Sequence, residues 1–129
     1  MRFVTDDESK KQYKKFLEEN ERCNFQQSLE WAEVKKTNWI PEVILAEDEE
    51  KNIIGSLCVW IRNIPIFGNI MYSPRGPVCD VHDLAILKQL TDGAKELAKK
   101  YKAIVLRIEP DVESDDQVFR DIVTNLGYH

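Results

Sequence analysis

Cysteine is scarce in this sequence, and the three present, Cys23, Cys58 and Cys79, are odd in number, far apart and without a C-x-x-C pair. That pattern excludes a disulfide framework and points to a reducing, cytoplasmic setting. Histidine is scarcer still: His82 and His129 stand far apart, so Cys/His zinc spacing is absent and no metal is expected. The five glycines are nowhere clustered, which removes the glycine-bearing Q/R-x-x-G-x-G/A loop that coenzyme A enzymes place at a helix N-terminus. No apolar run approaches the about 20 residues needed to span a bilayer, and Met1 to Asp7 has no signal-peptide core. An excess of positive charge is also missing. Lys and Arg total 18 against 23 Asp and Glu, a net charge of −5, so the overall field repels nucleic acid and anionic membrane and any such contact needs a local patch.

What is present is enough for one domain: 129 residues, 43% of them hydrophobic. Arg2 to Thr5 reads as a short strand, and Thr5 with Glu8 as a capping box opening a helix that runs to about Glu21. A second helix begins near Ser28. Trp39 to Ala46, Ile53 to Arg62 and Ile66 to Tyr72 are rich in β-branched and aromatic residues, and predict an antiparallel meander. From Asp80 or Asp83 as N-cap, Leu84, Leu87, Leu90, Ala94, Leu97 and Tyr101 keep helical period, with Lys99, Lys100 and Lys102 where the helix dipole favours cations. The unbroken apolar run Ala103-Ile104-Val105-Leu106 predicts a central strand covered on both faces. Ser114 and Gln117 predict a second capping box before an apolar helix face that Gly127 closes.

Two local patterns carry candidate chemistry. In Tyr72-Ser73-Pro74-Arg75-Gly76-Pro77-Val78-Cys79-Asp80, two prolines and a glycine bracket one arginine, so Arg75 sits on a stiff mount. Gly76 is expected to supply backbone angles that other residues avoid. Gln27, Trp31 and Lys35 are spaced four apart, which stacks a polar, an aromatic and a cationic group along one helical stripe able to take an anionic ligand. The alternatives are ordinary ones: an arginine in an exposed turn, a core tryptophan and a solvated lysine. Trp31, Trp39 and Trp60 are assigned to the core, Tyr72 to the mouth of the loop, and Arg107 to a structural ion pair.

The element order, a strand, two helices, three antiparallel strands, a helix, a strand and a helix, is that of the GNAT-like acyltransferase α/β fold with its mixed sheet, stopped before its last strands; an unrelated α+β sandwich fits the same order. Q-S-x-x-W-x-x-x-K at Gln27 to Lys35, Y-x-P-R-G-P-V at Tyr72 to Val78 and L-R-I-x-P at Leu106 to Pro110 together resemble three blocks of the Fem (FemA, FemB, FemX) family of peptidoglycan bridge-forming transferases. The resemblance covers nearly the whole chain. It implies an enzyme that moves an amino acid from aminoacyl-tRNA onto the stem peptide of a peptidoglycan precursor, UDP-MurNAc-pentapeptide or lipid II, without cofactor or metal. It further implies that residues 1–129 form the first of two GNAT-like domains, that the isolated chain is inactive, that tRNA is held mainly by the second domain, and that the protein is cytoplasmic or peripheral at the inner face of the membrane.

By the same resemblance, Lys35 lies on the nucleotide-sugar side of the precursor site with Trp31, Tyr72 and Arg75 nearby, and Glu109 takes the acidic position considered for proton transfer. The family usually has Asp there, and the additional methylene of Glu109 displaces the carboxylate. Two rivals remain: a coenzyme A acetyltransferase, disfavoured by the glycine pattern, and an inert binding module on the same scaffold.

Overall fold

The computed structural model describes residues 1–20, 24–110, 112 and 115–128. In chain order its elements are β1 (Arg2–Phe3), α1 (Asp7–Glu18), a 3-10 turn (Phe25–Gln27), α2 (Leu29–Lys35), β2 (Ile40–Glu47), β3 (Ile53–Ile64), β4 (Gly68–Pro74), β5 (Val78–Cys79), α3 (Leu84–Tyr101), β6 (Ala103–Glu109) and α4 (Gln117–Asn125). The strands form one mixed sheet in the order β1-β2-β3-β4-β6, with β5 on β3. The meander β2-β3-β4 is antiparallel as expected, and α3 is the crossover that brings β6 parallel to β4.

The apolar residues of β2 and β3 face both ways because both faces are covered. Ile44, Ala46, Leu57, Val59 and Ile61 pack with Ile86, Leu90, Ala94 and Leu97 of α3 and with Phe119 of α4. Val43, Leu45, Cys58 and Trp60 pack with Tyr13 and Leu17 of α1 and Ala32 of α2. The doubly covered strands are thus β2 and β3. The run Ala103 to Leu106 is not central: β6 is the last strand on its side of the sheet, and Ile104 is 65% and Val105 51% exposed. An unbroken apolar run marks side chains suited to burial, but it does not report whether partners stand on the second face and second edge.

Local signals place the helix ends with small corrections. α1 begins at Asp6, whose carboxylate accepts from Ser9 N while Ser9 Oγ accepts from Asp6 N. The capping box is therefore one residue later than Thr5/Glu8, and the helix stops at Glu18 rather than near Glu21, which lies outside the described residues. α2 begins where expected, with Ser28 as its cap, and of the two candidates Asp80 and Asp83 it is Asp83 that caps α3. Asp116, not Ser114, caps α4 through Phe119 N; Ser114 lies outside the described residues. Gly127, at φ +98, ends α4 with Tyr128 N donating to Val123 O.

The loop between β4 and β5 is fixed by close approach. A Cβ on Gly76 would stand 2.6 Å from Ser73 Oγ and 2.8 Å from both Gln27 Oε1 and Leu57 Cδ1. The residue with φ in the left-handed region is Arg75, at φ 58, so Gly76 is needed for its missing side chain rather than for unusual angles. Gly76→Ala is expected to lower stability by about 1–3 kcal/mol through overpacking. Urea unfolding checks this: the midpoint should fall with an unchanged slope, whereas a wild-type midpoint would show that the loop yields.

Candidate functional site

Ser28 Oγ accepts from Trp31 N at 3.1 Å, and the turn it starts sets Trp31 and Lys35 on one side of α2, with Lys35 Nζ 5.0 Å from the Trp31 ring centroid. The stripe continues past the helix, because Trp39 N donates to Lys35 O at 3.0 Å. Trp39 lies against Tyr72, their ring centroids 6.3 Å apart and tilted by 43°, and carries Arg62 5.6 Å above its ring. Tyr72 in β4 is the register partner of Trp60 in β3. Trp31, Lys35, Trp39, Trp60 and Tyr72, with Gln26 and Pro74, line a cleft of about 190 Å³ where α2 meets the open face of the sheet.

Gln27 is not part of that stripe. It sits in the 3-10 turn before α2 and is fully buried. Pairing of β3 with β4 reaches Trp60 and pairing with β5 starts at Ser56, which leaves Cys58 unpaired on that side. Gln27 fills the gap. Its Oε1 accepts from Cys58 N at 2.8 Å and its Nε2 donates to Pro74 O at 2.6 Å and Ser73 Oγ at 3.2 Å, while Ser73 Oγ donates to Cys58 O at 2.6 Å. Tyr13 in turn donates its hydroxyl to Gln27 O. A polar residue at helical spacing reads as a surface ligand group, but here the backbone of a split strand needs it more.

At the far rim Tyr72 OH donates to Glu109 Oε2 at 2.7 Å, and Arg107 Nη2 lies 3.2 Å from Glu109 Oε1. Arg107 is paired as expected, but on an exposed face rather than inside the sheet. The hydrogen bond to Glu109, then partial burial and the Glu109 charge, push the Tyr72 phenol above its ordinary range, while Arg107 and Arg75 pull it down. Arg75 is exposed. The fold therefore brings Trp31, Lys35 and Tyr72 to one cleft, with Glu109 bonded to Tyr72 and the Arg75 charge acting on the same phenol. Trp31 and Trp39 pack on the core edge and line the cleft at once. Trp60 is core as expected, and its Nε1 is buried with no hydrogen-bond partner among the described residues. The cleft role of Trp39 was missed, although its spacing of four from Lys35 was a signal for it.

A larger apolar cavity of about 660 Å³ lies between α3, β6 and α4, lined by Met71, Ala98, Leu106, Phe119 and Leu126 among others. Its walls are mainly apolar, with Thr91, Lys95, Arg107 and Tyr128 also on the lining. Among the described residues no cluster of His, Cys, Asp and Glu could hold a metal ion, and no helix is long and apolar enough to cross a membrane. The Cys58 thiol, buried in the core, is pushed up to about 12 and is no nucleophile at neutral pH.

The model of the FemAB family matches residues 9–123. This chain belongs to the FemAB family. It is 31% identical over 125 residues to the UDP-N-acetylmuramoylpentapeptide-lysine N(6)-alanyltransferase of Weissella viridescens, covering 97% of this chain and 36% of that protein. It is 35% identical over 115 residues to the lipid II:glycine glycyltransferase of Staphylococcus haemolyticus, covering 87% of this chain and 26% of the relative. The chain thus spans about a quarter to a third of the length of these relatives. The crystal structure of FemX superposes with a TM-score of 0.86 at 28% identity, over 98% of this chain and 32% of that one. A "probable acetyltransferase" superposes at 0.62 with 16% identity, over 100% of this chain and 90% of the other, and shows the shared GNAT-like fold. Unlike an acetyltransferase of that fold, this FemAB chain has no glycine-bearing pyrophosphate loop.

Because the phenol's pKa is raised in the folded state, its bond to Glu109 adds stability below the ordinary tyrosine value of 10.0 and loses it as pH rises through the folded value. Glu109→Ala leaves Tyr72 facing only the two arginines, so its titration midpoint should fall. The ¹³C shift of Tyr72 Cζ followed against pH measures this; an unmoved midpoint would show that the pair does not form in solution.

Proposed function

We propose that this chain is the precursor-binding domain of an aminoacyltransferase that extends the stem peptide of a peptidoglycan precursor with an amino acid from aminoacyl-tRNA. The observation that carries this reading is the single cleft in which Lys35, Trp31, Trp39 and Tyr72 converge, with Glu109 and the Arg75 and Arg107 charges at its rim. Such a set suits a nucleotide-sugar diphosphate. A lysine meets the phosphates as a mobile point charge, and aromatic faces flank rings. Membership in the FemAB family and the activities of the relatives, an alanyltransferase acting on a muramoylpentapeptide lysine and a lipid II glycyltransferase, support the same substrate class.

Aminoacyl transfer is attack of a neutral amine on an ester carbonyl: the C–N bond forms, the C–O bond to the tRNA ribose breaks, the amine nitrogen loses one proton and the departing ribose oxygen gains one. No cofactor is needed for that step. In this reading Glu109 acts in proton transfer through the Tyr72 hydroxyl it already accepts from, and Arg75 and Arg107 bias the rim toward anionic substrate. Each Glu109 oxygen has one partner, Tyr72 or Arg107, which fixes the carboxylate beside the phenol while leaving acceptor lone pairs on both oxygens.

The relatives' greater length supports a two-domain protein in which a second domain completes the cleft and holds the tRNA, and the 129-residue chain alone is then inactive. A cytoplasmic location follows from where charged tRNA and the precursor meet.

Calorimetric titration of the chain with UDP-MurNAc-pentapeptide tests the reading. Saturable binding is expected, weakened about tenfold or more by Lys35→Ala, the loss of one hydrogen bond to a charged group, and less by Arg75→Ala. Absence of binding would contradict a precursor site carried by this domain alone, and would leave a site that needs the second domain or an inert module on the same scaffold.

A further inference from the structure

The β3–β4 hairpin turns through Ile64-Pro65-Ile66-Phe67, an apolar tip on a chain that is otherwise 32% charged. Ile66 is 100% exposed and Phe67 70% exposed. Ile66 also has φ +79, a region in which a β-branched residue is strained. Exposed apolar surface and an unfavourable backbone thus coincide at one residue, with no packing inside the chain to offset either. Ile104, an exposed residue of β6, adjoins this tip: its Cγ2 is 3.7 Å from where a Cβ on Gly68 would stand.

The surrounding charge is mainly positive. The sequence holds no Asp or Glu from Lys51 to Cys79, and none from Leu97 to Ile108. Pairing of β4 with β6 sets these two stretches side by side, Asn69 opposite Ala103, with Asn69 Nδ2 donating to Tyr101 O. Arg62, Lys99 and Lys102 are exposed there, while Lys100 is offset by Glu42 at 3.8 Å. A protein of net charge −5 has therefore gathered cations around its most exposed apolar residues.

We infer that this hairpin tip is a docking surface for an anionic lipid bilayer, with Ile66 and Phe67 entering the interface and Arg62, Lys99 and Lys102 meeting the phosphates. A protruding apolar tip with exposed cations on the adjoining β3 and α3 end fits a soft, negatively charged surface, whereas a protein partner is better met by a shaped groove. The inference does not rest on the precursor reading, but it bears on it. Arg62 covers Trp39 of the cleft, and Ile66 is four residues further on, in the turn that follows β3. A docked tip would hold the cleft close to the membrane surface.

Co-sedimentation with vesicles tests this, using phosphatidylcholine alone and phosphatidylcholine mixed with phosphatidylglycerol. The chain should partition onto the mixed vesicles and only weakly onto the neutral ones. Ile66→Ser with Phe67→Ser should lower partitioning at least tenfold. Lys99→Gln with Lys102→Asn, where asparagine suits the left-handed φ 52 of Lys102, should lower it about fivefold per charge removed. All four positions are exposed, so circular dichroism should stay that of the wild type. No binding to the mixed vesicles at low salt would overturn the proposal, as would retained binding by the Ile66/Phe67 variant. So would self-association in sedimentation velocity that this variant abolishes, since a second copy would then be the occupant.

Discussion

The buried carboxamide of Gln27 closes a seam that the strands leave open. Between β4 and β5 the third strand loses its partner for the span of Cys58, and an unpaired buried N–H and C=O would each cost about 1–3 kcal/mol. Gln27 answers the Cys58 N–H directly and holds Ser73 Oγ where it can reach the Cys58 carbonyl, and the same carboxamide takes Pro74 O. It thereby ties the lead into α2 to the lead out of β4. Trp31 and Lys35 depend on the first, Tyr72 and Arg75 on the second. The absent side chain of Gly76 belongs to the same joint, since a methyl group there would collide with Gln27 Oε1 and Ser73 Oγ.

From that joint the molecule opens to one side only. α1 and α2 cover β2 and β3 but leave the corresponding face of β4 and β6 uncovered, and there Tyr72, Arg107 and Glu109 form a bonded row. The cleft, its cationic rim and the hairpin tip all lie along this uncovered part of the sheet. Net charge hides this arrangement. The carboxylates are concentrated elsewhere in the chain, and the cations of two acid-free stretches are assembled by the pairing of β4 with β6.

Much of the fold was legible because its signals are local. The 3.6-residue period of Leu84 to Tyr101, the Asp83 and Ser28 caps, the Gly127 terminus and the meander each rest on neighbours within a few residues. The edge position of β6 was not legible, since apolar character does not say which partners exist. Nor was β5, two residues whose pairing to Gly55 and Ser56 is set by the loop. At the site, Trp31, Lys35 and Tyr72 were found through motif and spacing. Gln27 was placed on the wrong side of the same turn, because spacing of four assumes a helix where the chain makes a 3-10 turn. The Tyr72–Glu109 bond joins residues 37 apart in sequence, and only the parallel register of β4 and β6 brings them together.

Native-state amide hydrogen exchange in Gln27→Leu tests the role of this joint most directly. A leucine of similar volume keeps the burial and removes the hydrogen bonds. The Cys58 amide should then exchange far faster than in the wild type, while amides in the middle of α3 change only as global stability does. Unchanged protection of the Cys58 amide in the variant would contradict the account, because the seam would then be closed without Gln27.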